Sequence, residues 1–546
     1  MSAVTREEAR PRREGRHAAG LGTLLRFALK RDRIALPAWI LGITLAVVGT
    51  AASYPALYPT AEERLGARLT IDNPGTTALI GAIYGGDDYT YGIMTGHALL
   101  ALIAVCAALM SIFTLVRHTR AEEESGRAEL VRSSVTGRHS HALAAAILVL
   151  GANVVLALAL TAGLGALGVE TITWGGSLLF GSTIAAAGFV FAGVAAVTSQ
   201  LAASARAASG SAGLVLALAY VLRAIGDVSN ETLSWLSPIG WSQATQVYYA
   251  DNWAPLGISL AATAALFAVA APLNRRRDLG AGLLSTRPGP ARGGAALAGP
   301  LGLAWRLSRT VVLVWSIGLL AFGLMYGPVL SEASSFLDDM PIIAEFLPDL
   351  EASGAELFGA TVIAVAAILC SVPAVQIALR LRSEETAGRV GPMLATPLPR
   401  VRWMGASLLL AMAVAAVMLA VMGLGIGIGA GLSMDDASWI ATSVTAAIAY
   451  LPASAVTVGL AALLLGWAPR AAGWSWALVA FAAVVLYFGG ILDLPQWLID
   501  VSPFSHVPQQ PAESFDAAPL AWLAVIAVAL TAAGLIGIRR RDITEG

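Results

Sequence analysis

The sequence predicts an all-α polytopic membrane protein of about twelve transmembrane helices, arranged as two parallel-repeat six-helix halves. Three observations predict it: an apolar, charge-poor composition, uncharged runs long enough to cross a bilayer, and a second half that restates the landmarks of the first in order. Of 546 residues, 57% are hydrophobic and 13% charged, with a mean hydropathy of +0.73. Soluble chains average about 25% charged residues. A hydrocarbon core about 30 Å thick needs roughly 20 apolar residues per helical span, and runs of that length recur. The runs are continuous, without the apolar/polar alternation of barrel strands.

In chain order, residues 1–20 hold five arginines among three glutamates with no apolar stretch of signal-peptide kind behind them, which predicts a disordered cytoplasmic tail. Leu21 to Ile34 predicts an amphipathic leading helix, with Arg26, Lys30 and Arg33 off its apolar stripe. Twelve spans follow, near 36–53, 97–116, 142–168, 177–198, 211–226, 255–272, 310–330, 357–379, 404–430, 438–465, 473–491 and 519–538. The fifth is the weakest, being short and ending at Arg223 and Asp227. With the N-terminus inside, all but Arg64, Arg68 and Arg223 of the 34 Lys and Arg fall in cytoplasmic segments or tails, which is the orienting signal of an inner membrane. An even span count returns the C-terminus to the cytoplasm. Glu332, Asp338, Asp339, Glu345, Asp349, Glu351 and Glu356 fall in one outer loop without a base. Cys106 and Cys370 lie inside apolar runs and read as small core residues.

The repeat is carried by four landmarks. Lys30, Arg33, Trp39 and Gly42 are answered by Arg306, Arg309, Trp315 and Gly318. Glu122-Glu123-x-x-Gly126-Arg127 after the second span is answered by Glu384-Glu385-x-x-Gly388-Arg389 after the eighth. Ser237-Pro238 and Ser502-Pro503 precede the last span of each half, and Arg-Arg-Arg-Asp closes each, at 275–278 and 539–542. Six spans is an even number, so the halves enter the membrane in the same sense. The expected division is a tail 1–20, a first half 21–272, a Pro/Gly-rich cytoplasmic linker 273–304 and a second half 305–546, with a pathway between the halves.

The segments 117–141 and 380–403 mix acids, bases and an apolar residue (Leu130 or Met393), as a short helix docking on a soluble partner would. A solvated loop is the plainer alternative for one copy; two copies at identical spacing favour docking. The copies differ at Arg132 and Val135 against Leu394 and Pro397, so the two halves are expected to engage a partner dimer unequally.

Several functions are excluded or weakened. A Walker A loop requires Gly-Lys-Ser/Thr, and the single lysine of the chain, Lys30, lies between Leu29 and Arg31. The glycines at 423, 425, 427, 429 and 431 sit in an apolar span and read as close helix packing. His139-x-His141, with His118 nearby, reads as a solvated loop rather than a metal site, and His97 and His506 as interfacial. No metal site and no nucleic-acid partner are expected. Spans poor in ionisable groups weaken an ion-coupled twelve-span transporter, whose Gly-x-x-x-Asp-Arg-x-Gly-Arg loop is also missing. A membrane enzyme or scaffold remains a second rival, resting on the polar clusters Ser237, Gln243, Gln246, Tyr248 and Tyr249, and Ser502, His506, Gln509 and Gln510. These lack paired carboxylates, and re-entrant segments forming an outer gate at Ser237, Pro238, Ser502 and Pro503 are the preferred reading.

The Glu-Glu-x-x-Gly-Arg segment after the second span of a six-span unit resembles the coupling-helix region of type-2 ATP-binding-cassette exporter permeases, the ABCG-like fold. The fused form is similar to the actinobacterial permeases that export polyketide antibiotics, over residues 20–542. The resemblance implies docking to a separate ATP-binding subunit, as a dimer, through Glu122, Glu123, Gly126, Arg127, Glu384, Glu385, Gly388 and Arg389. It implies ATP and magnesium on that subunit and no cofactor on this chain, which would itself be no enzyme. It also implies export of an apolar or amphipathic small molecule, antibiotic- or lipid-like, along the second, fifth, eighth and eleventh spans, with Tyr220, Trp476 and Tyr487 on the path. Lipid-facing placement of those three is the alternative.

Overall fold

The computed structural model describes residues 19–72, 74–86, 88–127, 129, 137, 140–229, 231–277, 280–284, 294, 297, 299–331, 354–488 and 495–542. The tail up to residue 18, Leu130, Arg132, Val135, Arg138, His139 and the acidic residues 332–351 lie outside them. The chain is an all-α membrane protein with two compact units, 1–288 and 289–546. Among the described residues twelve helices are long and apolar enough to cross a membrane. In the first unit they are Ala35–Leu57, Tyr91–Glu124, Ser140–Gly165, Trp174–Leu201, Ala205–Ser229 and Ala254–Arg276. In the second they are Pro300–Ser331, Gly354–Thr386, Arg400–Met434, Ser438–Trp467, Pro469–Leu486 and Ala517–Arg540.

Each half packs its spans in the same pairs: first on third, second on fourth, third on fourth, and fourth on sixth. The second and fourth spans form the core, with Ala104, Ala107, Ala108, Phe180 and Phe191 fully buried in one half and Ala366, Ala367, Ala374 and Ala461 in the other. Alanine allows such close approach of helix backbones. The other spans turn large apolar side chains outward, such as Leu41, Leu45, Leu214, Leu218, Val525 and Val528, as helices that face lipid do.

The glycine run of the ninth span divides between two faces. A Cβ on Gly425 or Gly429 would meet the backbone of the seventh span, and one on Gly423 or Gly427 that of the tenth, all below 3.0 Å. A second seam joins the tenth and twelfth spans, where a Cβ on Gly534 would lie 2.3 Å from the Ala462 carbonyl. Backbone cannot yield there as a side chain could. Gly534→Leu is therefore expected to part these spans and destabilise the chain by about 1–3 kcal/mol or more, read as a lowered unfolding midpoint in detergent.

Two spans depart from expectation. The tenth is broken into Ser438–Ile448 and Leu451–Trp467, because Pro452 has no N–H to offer the turn before it. The eleventh begins as a 3-10 turn, Pro469–Trp474, before the helix Ser475–Phe488. The residues after the sixth span are held by their own half: the N–H groups of Leu283 and Leu284 donate to the carbonyls of Gln200 and Leu201 at 3.1 and 3.0 Å.

Candidate docking site and the clamps beneath it

The repeated segment has the same local geometry twice. Gly126 and Gly388 adopt positive φ, 73° and 67°, a conformation that costs an L-residue roughly 1–2 kcal/mol. Their N–H groups donate to the carbonyls of Glu123 (3.1 Å) and Glu385 (3.0 Å), closing the helical turn as glycine C-caps do. Gly126→Ala and Gly388→Ala are each expected to loosen this turn by about 1 kcal/mol, seen as faster amide exchange confined to the segment.

The carboxylates point inward. Glu123 receives both Nη groups of Arg277 at 2.6 Å and Nη1 of Arg120 at 2.9 Å. Glu385 receives both Nη groups of Arg541 at 2.5 and 2.8 Å, with Arg382 at 3.5 Å. Arg277 and Arg541 are the third arginines of the two Arg-Arg-Arg-Asp runs, and Arg120 and Arg382 stand three residues before the glutamates. Two landmarks of the repeat thus meet in one clamp, formed in each half, which ties the segment after the second span to the end of the sixth. The first half elaborates it. Arg120, 1% exposed, also donates to the carbonyls of Ala203, Gly280 and Ala281 at 2.6–3.0 Å, and Arg277 Nε to Gln200 at 2.6 Å.

The preceding glutamates are unlike. Glu122 is buried beside Arg31 (2.5 Å), His141 (3.4 Å) and His118 (3.7 Å). His118 also meets Asp32 at 2.6 Å, and Arg117 meets the same carboxylate at 2.8 Å. His118 and Asp32 are buried, not solvated as the loop reading expected, because the leading helix folds back on the end of the second span. Among the described residues no group of His, Cys, Asp and Glu is arranged to hold a metal ion. Glu384 instead pairs with Arg389 (2.7 Å) and Arg380 (3.4 Å). On the surface the segments present Glu124, Arg127 and the largely exposed Arg389, with Gly126 and Gly388 half-buried behind them. Arg31, Asp32 and Arg120 escaped sequence reasoning, and His118 was read as part of a solvated loop; the one available signal was Arg120 and Arg382 recurring at equal distance before the glutamates.

At the opposite end of the first half a short helix, Pro74–Ile80, is sewn down by its last carbonyls. Arg223, 0% exposed, donates to Ala78 and Leu79 at 2.8 and 3.0 Å and pairs with Asp227 at 3.2 Å. Tyr220 donates to Leu79 with its ring against Arg223, Gln243 to Ile80 at 2.7 Å, and His97 Nε2 lies 3.0 Å from the Gly81 carbonyl. A cation over helix C-terminal carbonyls is favoured by the dipole. His97 is buried rather than interfacial, with the Tyr89 hydroxyl 2.8 Å from Nδ1. Burial pushes the Tyr84 and Tyr89 phenols up, so both stay neutral donors. Ser237 and Ser502 are buried and alike: each hydroxyl accepts from the N–H two residues on, at 3.2 and 3.3 Å, and starts a short turn with Pro238 or Pro503 at its head. Trp476 packs partly buried on the core of the second half, and the Tyr487 side chain lies outside the described residues.

The family model described as the C-terminal domain of the multidrug efflux system permease Rv1217c matches residues 21–275 and 297–539. The chain is also 38% identical, over 561 aligned positions covering all of both chains, to the multidrug efflux system permease protein Rv1217c of Mycobacterium tuberculosis. Twelve helices long and apolar enough to cross a membrane among the described residues, and a full-length match of this kind, make the chain a multi-pass transport permease, and it belongs to the Rv1217c family of multidrug efflux permeases.

Proposed function

We propose that this chain is the membrane-spanning permease of an ATP-binding-cassette exporter of type 2, moving apolar or amphipathic molecules out of the cytoplasm on energy from a separate ATPase. The observation that carries the reading is the clamp formed twice by Glu123–Arg277 and Glu385–Arg541. A dimeric ATPase needs two equivalent contact points that move as one body with the spans, because its closure favours one packing only through rigid connections. In this proposal Gly126, Arg127, Gly388 and Arg389 meet the ATPase, while Glu122, Glu123, Glu384 and Glu385 hold those residues from behind. Both termini are cytoplasmic, ATP and magnesium bind the partner, and Ser237-Pro238 and Ser502-Pro503 belong to the outer gate, with Tyr220 and Trp476 beside the path. The relative's name, multidrug efflux, supports a broad apolar substrate class.

The test is affinity purification from cells expressing the neighbouring genes. A stoichiometric Walker-containing subunit is expected on the wild type and lost from an Arg127→Glu/Arg389→Glu variant that still inserts. Unchanged capture by that variant would remove the docking assignment. An ion-coupled transporter has one observation in its favour, the buried Asp32–His118–Glu122 cluster, which would suit a proton site but stands in the first half alone.

A further inference from the structure

The two halves differ in what fills one equivalent corner. In the first half, the leading helix, the end of the second span and the start of the third meet, among the described residues, through charges: Arg31, Asp32, His118, Glu122 and His141. Carried through the repeat by the spacing of its own landmarks, these positions become Leu307, Ser308, Arg380, Glu384 and Trp403. Two ions and two imidazoles have gone, and an arginine has replaced one of the latter. In their place the second half has a cavity of about 570 Å³.

Its walls are Leu303, Leu307, Ile377, Leu381, Met393 and Trp403, with Arg380, Glu384 and Arg389 on one side. Arg380 donates through Nη1 to the Leu307 carbonyl at 2.6 Å. Its Nε is buried without a hydrogen-bond acceptor, 3.4 Å from Glu384. Glu384 is already held by Arg389 at 2.7 and 3.3 Å. Two guanidinium groups therefore face one carboxylate, leaving one positive charge beside an apolar chamber. The volume falls within the range of small-molecule sites, roughly 300–1,000 Å³. Arginine is suited to planar anions such as carboxylate and phosphate.

We propose that this cavity binds one amphipathic anion, its apolar body against Leu303, Leu307, Met393 and Trp403 and its carboxylate or phosphate group toward Arg380 and Arg389. Among the described residues the equivalent positions of the first half carry ion pairs in place of the apolar wall, so one such site per chain is expected. The site shares Arg389 with the proposed docking surface, but its binding is measured on this chain alone, without the ATPase.

The experiment uses the full-length chain in nanodiscs of neutral phosphatidylcholine, titrated with radiolabelled dodecanoate, dodecanol and dodecylamine. One saturable dodecanoate per chain is expected, bound at least tenfold tighter than dodecanol. Arg380→Gln and the exposed Arg389→Gln lower dodecanoate toward the dodecanol level, and Ala304→Trp, at the chamber wall, removes saturable binding of both. Equal affinity for the three headgroups, or dodecanoate binding unchanged in both Ala304→Trp and Arg389→Gln, would overturn the proposal. Arg389→Gln keeps the test informative if the larger substitution fails to fold. Native mass spectrometry then separates the sources. An acidic phospholipid retained by the wild type and lost from Ala304→Trp places the anionic group on a bilayer lipid. A lipid-free chain that takes up dodecanoate places it on a free amphiphile. A chain with neither contradicts the site.

Discussion

Glu123→Gln is expected to lower the unfolding midpoint of the purified chain by roughly 5–10 °C, the consequence of a loss of about 3–5 kcal/mol. The reasoning runs from burial. Glu123 and Arg277 have side chains only 5% and 4% exposed, and Arg120 beside them is 1% exposed. Glutamine keeps the shape and removes the charge, leaving two guanidinium groups in a space without water to solvate them. Breaking one side of a buried pair is costly for that reason, whatever the intact pair contributes. Two comparisons separate this from general damage. Glu385→Gln should cost less, because Arg541 and Arg382 are 15% and 27% exposed and water screens what is left. In a double-mutant cycle, Glu123→Gln with Arg277→Gln should cost less than the sum of the two. Strict additivity would mean that the clamp is not a unit. Both effects are checked by thermal unfolding in detergent.

Arg223→Met should cost a similar amount, again about 3–5 kcal/mol, at the other end of the same half. Methionine matches the length of the stem but leaves Asp227 without its cation and frees the carbonyl of Ala78, while that of Leu79 keeps only the Tyr220 hydroxyl. An orphaned buried acceptor costs about 1–3 kcal/mol. The short helix Pro74–Ile80 then loses most of what holds its last turn, so amide exchange of residues 76–82 should rise by orders of magnitude while the core spans keep their protection. Protection unchanged in that segment would show that Tyr220, Gln243 and His97 suffice. Arg223→Lys restores charge but not the fork that reaches two carbonyls and a carboxylate together, and it should recover only part of the loss.

The parts of this fold that were legible in the sequence are those decided by local chemistry. Apolar length located the twelve spans, since lipid tolerates little else. Alternate glycines from 423 to 429 announced close approach, and the structure divides them between two neighbours. The recurrence of Glu-Glu-x-x-Gly-Arg and Arg-Arg-Arg-Asp marked the two places that matter, but not that they touch. Glu123 and Arg277 are 154 positions apart, and adjacency across such a distance is a property of how the second and sixth spans pack on the fourth. For the same reason the glutamates read as a face offered outward, although their partners lie within. His118 looked like a loop residue because nothing local reveals that the leading helix returns to cover it. The fifth span looked weak because of Arg223, which proves to be a buried anchor with three acceptors rather than a flaw at a boundary. The break at Pro452 was not read from the sequence, because the apolar run on both sides of it continues as one span.

The most direct test of the central claim, that an external ATPase drives this permease through the two clamped segments, is efflux of a fluorescent amphiphile from reconstituted proteoliposomes. The account predicts extrusion only when the cognate ATP-binding subunit and ATP are both present, unaffected by a protonophore and lost when Arg127 and Arg389 are reversed in charge. Extrusion by this chain alone, driven by an imposed proton gradient and abolished by protonophore or by His118→Gln, would contradict it and transfer the energy coupling to the buried cluster of the first half.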